Sequence, residues 1–398
     1  MDLTPSRRAM ELQENLSDFM DQHVYPAEKQ LAQWREIAET TETFPGLSEL
    51  RVEAKSRGLW NLYVPGVSDL SHLEYAGLAE LTGRSPELAP AAINGAAPDS
   101  MNMIMLDAVA TPRQRAQWLD PMLEGTTHAA FVMTEPAKAG SDAGNVSTSI
   151  DRTGEEYVIN GHKWFAAGAV SPDCSLLLVV GVTAPDGPAD RRLSVVVVPT
   201  NTPGVEIVRS LSVFGYVQDH AEIVFTDVRV PVDNLLGVEG GGMAVLQTRR
   251  AGARIQRGMR LVGVAERALE MTCRHTADRM LFGRPLVQFG QTRERIADSR
   301  LAIDQARLMG LRAAWTADNC DGPAVDAQLS AIKILASRTA LTVLDRAIEV
   351  HGALGVSADA PLARWYSVVR ALAIADGPEA AHLETVASHE LARFRLEN

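Results

Sequence analysis

Arg250, Arg254 and Arg257 recur at intervals of four and three, so a helix through them carries three guanidinium groups on one face. Such a row is either a solvated, salt-bridged stripe or a site for a phosphate-rich anion, and spacing alone leaves both open. Asp376 precedes Gly377 and Pro378; in that setting an aspartate is by default a cap or turn residue, although its carboxylate can also act as a general base. The glycine-rich stretch Gly237 to Gly242 invites a phosphate-loop reading, but no Lys-Ser or Lys-Thr follows and no βαβ setting surrounds it, so a hinge is the simpler interpretation. The nine histidines are scattered, and no H-E-x-x-H, G-x-S-x-G or EF-hand string occurs. Cys174, Cys273 and Cys320 have no paired spacing. No metal site, serine hydrolase or disulfide framework is supported.

The elements that must position these residues fall into three stretches. From 1 to 124, apolar residues recur at three and four, as in Leu12, Leu16, Phe19 and Met20, which predicts a helical domain. From 125 to 232 the pattern changes to short β-branched runs between turn residues: Tyr157-Val158-Ile159 before Asn160-Gly161, Leu176 to Val180, Ser194 to Val198 and Glu222 to Phe225. From 233 to 398 long helical segments return, roughly 242–280, 292–319, 325–350 and 361–374, which suggests an antiparallel bundle. The expected class is mainly α with a central β domain.

Composition narrows the function. The 398 residues, 46% hydrophobic and 22% charged, can bury a large core. A net charge of -12 opposes wrapping nucleic acid, which leaves a small molecule as the expected ligand. The apolar runs fall short of the ~20 residues that cross a bilayer, and Met1 to Met10 has no secretory apolar stretch. A soluble, cytoplasmic protein with no membrane partner is expected.

Phe131-Val132-Met133-Thr134-Glu135-Pro136, followed by Gly140-Ser141-Asp142, resembles the flavin-binding signature of the acyl-CoA dehydrogenase family, with one extra residue before Gly-Ser-Asp. Tyr157 to Phe165 looks like that family's next strand and turn, and Asp227 to Pro231 with Asn234 to Gly237 looks like the close of its β domain. Arg254, Arg279, Phe282, Gly283, the turn Gly352 to Gly355 and Ala375-Asp376-Gly377-Pro378 follow in family order. Each string alone is weak; their shared order over most of the chain is specific.

The resemblance implies a fold with an N-terminal helical domain, a middle β-barrel or sandwich and a C-terminal four-helix bundle, and it implies FAD. Thr134 and the backbone around it, with Phe131, Met133, Ala166 and Ala167, would hold the flavin ring. Ser141 would lie near the flavin or the start of the pantetheine chain. Phe165 aligns with the family's aromatic stacker, and for Trp164 stacking and core packing both stay open. Ala166 and Ala167 stand where many members have Ile-Thr, so a contact near the flavin N5 would come from a backbone amide. Arg279 and Phe282 resemble residues of a neighbouring subunit that hold the FAD pyrophosphate and adenine, which implies a homo-oligomer, a dimer or dimer of dimers. Glu349, Gly352 and Pro378 complete the implied cofactor set. Glu349 and Gly290 replace common glutamines, and a glutamate beside pyrophosphate is unfavourable unless it points away or is neutralised.

Asp376 stands where most members carry the Glu that takes the α-proton of an acyl thioester, and Ala-Asp-Gly-Pro resembles a subgroup of the family. An aspartate is shorter by one carbon–carbon bond, about 1.5 Å, so substrate or backbone must shift to keep the proton in reach. The other family base, a Glu on the first bundle helix, is replaced by Ala253. Arg254 and Gly377 are the remaining implied substrate contacts, and an electron-transfer flavoprotein is the implied acceptor. Two alternatives share the fold: an oxidase of acyl-CoA or nitroalkane type, and a non-catalytic subunit of a hetero-oligomer.

Overall fold

The computed structural model describes residues 1–37 and 43–394, which form two compact units. The helical unit draws on Met1–Tyr25, Leu70–Pro90 and Ala251–Asn398; the sheet unit draws on Pro26–Asp69 and Ala91–Arg250. We number the longer helices α1 (Arg7–Phe19), α2 (Tyr25–Ile37), α3 (Gly46–Ser56), α4 (His72–Gly83), α5 (Asp99–Val109), α6 (Gly242–Thr248), α7 (Arg250–Asp278), α8 (Gly290–Asn319), α9 (Pro323–His351), α10 (Leu362–Ile374) and α11 (Glu379–Ala392).

In the helical unit the start of α4 is set by a capping box: the Ser71 hydroxyl accepts from Glu74 N, and the Glu74 carboxylate accepts from Ser71 N. Along α7, Ile255, Met259, Val262 and Leu269 repeat at helical spacing and are all buried. Val262 and Leu269 join Ile303 of α8, Ile332 and Leu344 of α9, and Leu362, Trp365 and Val369 of α10 in one core, the bundle expected from periodicity. Arg307 ties three helices together, meeting Glu80 and Glu266 at 2.7 Å each.

The sheet unit is built on β1 (His128–Val132), β2 (Ser149–Thr153), β3 (Glu156–Ala167), β4 (Cys174–Val182), β5 (Leu193–Pro199), β6 (Val205–Val213), β7 (Tyr216–Pro231) and β8 (Leu235–Leu236). Their order is β6-β7-β3-β2-β4-β5-β8, with β1 parallel to β4. The unbroken apolar run of β4 is explained by burial on both faces. Leu176, Leu178 and Val180 pack with Met103 and Met105 of α5, while Leu177 and Val179 pack with Val196, Val198 and Ile159.

One local expectation is corrected. Asn160-Gly161 is no turn, because β3 runs straight through it with a bulge between Ile159 and Gly161. The hairpin turns earlier, where Thr153 pairs with Glu156 and Gly154 takes a φ of +64°. Asn160 is instead occupied across the sheet, its Oδ1 accepting from Asp227 N at 2.8 Å.

Candidate active site

In the sheet unit, β1 delivers Phe131 and the loop beyond it delivers Met133, Thr134 and Glu135. Main-chain bonding ties this loop to β3, as Trp164 N donates to Thr134 O at 3.0 Å. Beneath lies an ion pair absent from the sequence-level expectations. Lys163 Nζ, fully buried, donates to Glu135 Oε1 at 2.9 Å and to Met133 O at 2.8 Å. Glu135, 4% exposed, also accepts from Ser147 N and Oγ and from Thr148 N and Oγ1. Burial works against the carboxylate, but the hydrogen bonds and the Lys163 charge prevail and hold Glu135 at about 2. Burial also pushes Lys163 down, to about 8, against the pull of Glu135. We take the pair as charged at neutral pH, because the ammonium has both a carboxylate and a carbonyl to meet.

Above this pair the surface carries aromatic groups. Phe165 is 43% exposed and held at a φ of +51°, a strained conformation for a bulky residue. Its ring meets Trp164 edge-on at 5.0 Å and His220 at 6.2 Å. Trp164 Nε1 is buried with no hydrogen-bond partner among the described residues. Ala166 is buried, Ala167 half-buried and Ser141 exposed. Gly140 packs so closely that a Cβ there would come within 3.1 Å of Thr134 Cγ2, which joins the two halves of the flavin-like signature. Arg249, half-buried and pushed down to about 10 by desolvation, stacks 3.8 Å over the Phe131 ring. A cleft of about 320 Å³ lies beside this segment, lined by Lys138, Ser147, Asp151 and Arg192 among others.

In the helical unit Arg254 and Arg257 of the α7 arginine row are half-buried. Arg257 Nη1 donates to Asp376 Oδ2, with side-chain exposures of 15% and 39%. Asp376 follows α10 at a φ of +57°, and Gly377 follows at +101°. Pro378 then starts α11. Two further groups surround this turn. Lys333 of α9, buried, donates to Leu372 O and is pushed down to about 7 by burial and by Arg257 and Arg254. His382 of α11, 3% exposed, meets Asp376 O through Nε2 at 3.2 Å and Ser330 Oγ through Nδ1 at 3.3 Å. Burial, Arg254 and Lys333 hold His382 near 4, so it is neutral at pH 7.

The remaining expected residues lie at one end of the bundle helices. Arg279 follows α7, and the short hairpin after it, Met280–Leu281 paired with Arg284–Pro285, carries Phe282 at its tip, 90% exposed. Glu349 is paired with Arg295 Nη2, and Gly352 caps α9 at a φ of +63°.

Helices, a central sheet and a second helical stretch, with these motifs in sequence order, define the acyl-CoA dehydrogenase fold, and the chain belongs to that family. Family models for the acyl-CoA dehydrogenase N-terminal, middle and C-terminal domains match residues 6–126, 130–228 and 240–391. The chain is an acyl-CoA dehydrogenase by this relationship. It is 49% identical over 398 residues to "Probable acyl-CoA dehydrogenase FadE2" of Mycobacterium tuberculosis, covering 99% of this chain and 98% of the relative. It is 41% identical to "Acyl-CoA dehydrogenase family member 11" of Homo sapiens over 97% of this chain, and it spans about half (50%) of that longer protein. A solved acyl-CoA dehydrogenase-family structure from Mycobacterium abscessus superposes with a TM-score of 0.95 at 40% identity, covering 98% of this chain and 100% of that one. Among the described residues, no helix is long and apolar enough to cross a membrane.

Proposed function

We propose that this chain converts an acyl-CoA thioester to the trans-2-enoyl-CoA, with Asp376 removing the α-proton. The observation that carries the reading is a partly exposed carboxylate, held in a left-handed conformation and matched to a cation, at the position where the family keeps its base. One carboxylate oxygen takes the Arg257 guanidinium, and a carboxylate has a second oxygen to receive the proton. The α-hydrogen of a thioester is a weak acid, so developing negative charge on the carbonyl oxygen needs fixed donors; the backbone amide of Asp376 is the one the resemblance implies.

FAD, when bound, supplies the acceptor for the β-hydride. This chain's residues suit it: Phe165 offers an exposed ring, and the Thr134 and Trp164 segments offer backbone groups on a rigid support. Arg279 and Phe282, exposed and projecting, are suited to a cofactor bound by a second copy, which makes the protein a homo-oligomer. The Arg295 pairing with Glu349 removes the objection to a glutamate near pyrophosphate. An electron-transfer flavoprotein is the proposed acceptor, in a cytoplasmic setting.

The test is an anaerobic titration of the purified flavoprotein with saturated acyl-CoAs of graded length, followed by flavin absorbance. Bleaching by at least one thioester, with little peroxide in air, is expected. Rapid peroxide release would make it an oxidase, and purification without FAD would make it a non-catalytic subunit.

A further inference from the structure

Asp376 and Gly377 occupy successive positive-φ conformations, and the first of these persists in a residue with a side chain only where its surroundings hold it. What imposes it is the interior of the bundle. His382 lies one turn into α11 and is the buried residue of that helix. Its ring packs against the turn from inside: a Cβ at Gly377 would come within 3.0 Å of His382 Nε2, so a side chain there would have to push the ring aside. A carbonyl oxygen can only accept, so Nε2 must carry the hydrogen that meets Asp376 O. Because the ring is neutral, Nδ1 is then the acceptor for the Ser330 hydroxyl. The chain Ser330 Oγ–H, Nδ1, Nε2–H, Asp376 O runs from the N-terminal part of α9 to the main chain of the proposed base.

We propose that His382 is a positioning residue for Asp376: its Nε2–H fixes the main-chain carbonyl of residue 376, while Arg257 fixes the carboxylate. This rests on the assignment of Asp376 as base and explains how a side chain one carbon shorter than glutamate is kept aimed. A two-point hold matters because a misplacement of about 1 Å can cost on the order of 10²-fold in rate. Arg257 alone would steer the carboxylate while leaving the backbone free to swing.

The experiment compares His382→Leu, which keeps bulk without a donor, with His382→Gln, whose side-chain amide N–H can reach the same carbonyl. Ser330→Ala, which leaves the ring in place, carries the test if the leucine variant does not fold. Each is purified as the FAD holoenzyme, and kcat and KM are measured with the acyl-CoA that bleaches the native flavin fastest. We expect H382L to lose roughly 10- to 100-fold in kcat with KM within about twofold. H382Q should recover most of that loss, and S330A should lose about threefold, with FAD content unchanged throughout. Native kcat in H382L and S330A, a glutamine variant no faster than the leucine one, or a loss confined to KM would overturn the assignment. Asp376→Asn, measured alongside, separates the two claims. An inactive D376N with a native-like H382L ends the positioning role and spares the base; an active D376N ends both.

Discussion

The protein holds two carboxylate–cation pairs of the same chemistry in opposite circumstances. Glu135 and Lys163, in the sheet unit, are almost wholly buried, and the carboxylate is saturated by main-chain and hydroxyl donors. Asp376 and Arg257, in the helical unit, meet on a strained turn with the carboxylate 39% exposed. The first is a fastener: it joins the loop after β1 to β3 and so fixes Thr134 and Trp164, the groups proposed to face the flavin. The second can exchange partners, as the proposed base must. Satisfaction by neighbours, more than charge or residue type, separates a structural carboxylate from a chemical one.

Removing one member from each pair should break them differently. The largest effect expected is D376N, which should slow anaerobic flavin bleaching by roughly 10²- to 10⁴-fold while leaving the melting temperature nearly unchanged. Next comes K163M, which strands Glu135 in the interior and should cost about 3–5 kcal/mol in thermal or urea unfolding. The matching R257M should cost only about 1 kcal/mol or less, since its partner is open to solvent. Equal losses in the two variants would erase the distinction.

Acid sharpens it further. Glu135 is held near 2, below its ordinary 4.5, so its contribution is present above about pH 4.5 and is lost as pH falls towards 2. The stability gap between native protein and E135Q should therefore narrow across that window, and a gap constant from pH 7 to 3 would contradict it. A modest effect is expected of F165A, which should weaken FAD retention about five- to tenfold, the worth of one aromatic contact, read as flavin content after extensive dialysis.

Much of this was legible in the sequence because it depends on local order. The apolar run of β4, the helical repeat of α7 and the motif strings each report themselves. The Glu135–Lys163 bond was not, although both residues lie inside recognised strings, because a charged residue in a strand or loop is exposed by default and only the fold reveals the partner. Asn160-Gly161 misled for a related reason: the pair favours a turn, but cross-strand bonding to Asp227 holds it as a bulge. The helix α11 went unexpected since its buried contact is a histidine, not an apolar stripe. Three groups at the Asp376 turn, Arg257, Lys333 and His382, come from different helices, and no spacing rule brings them together.

Proton removal by Asp376 is most directly tested by α-hydrogen exchange. The holoenzyme is incubated anaerobically in D₂O with its best acyl-CoA, and deuterium at the α-carbon is followed by NMR. The native protein should exchange that position and D376N should leave it protonated, with FAD bound in both. Exchange in D376N at the native rate would show that another group takes the proton.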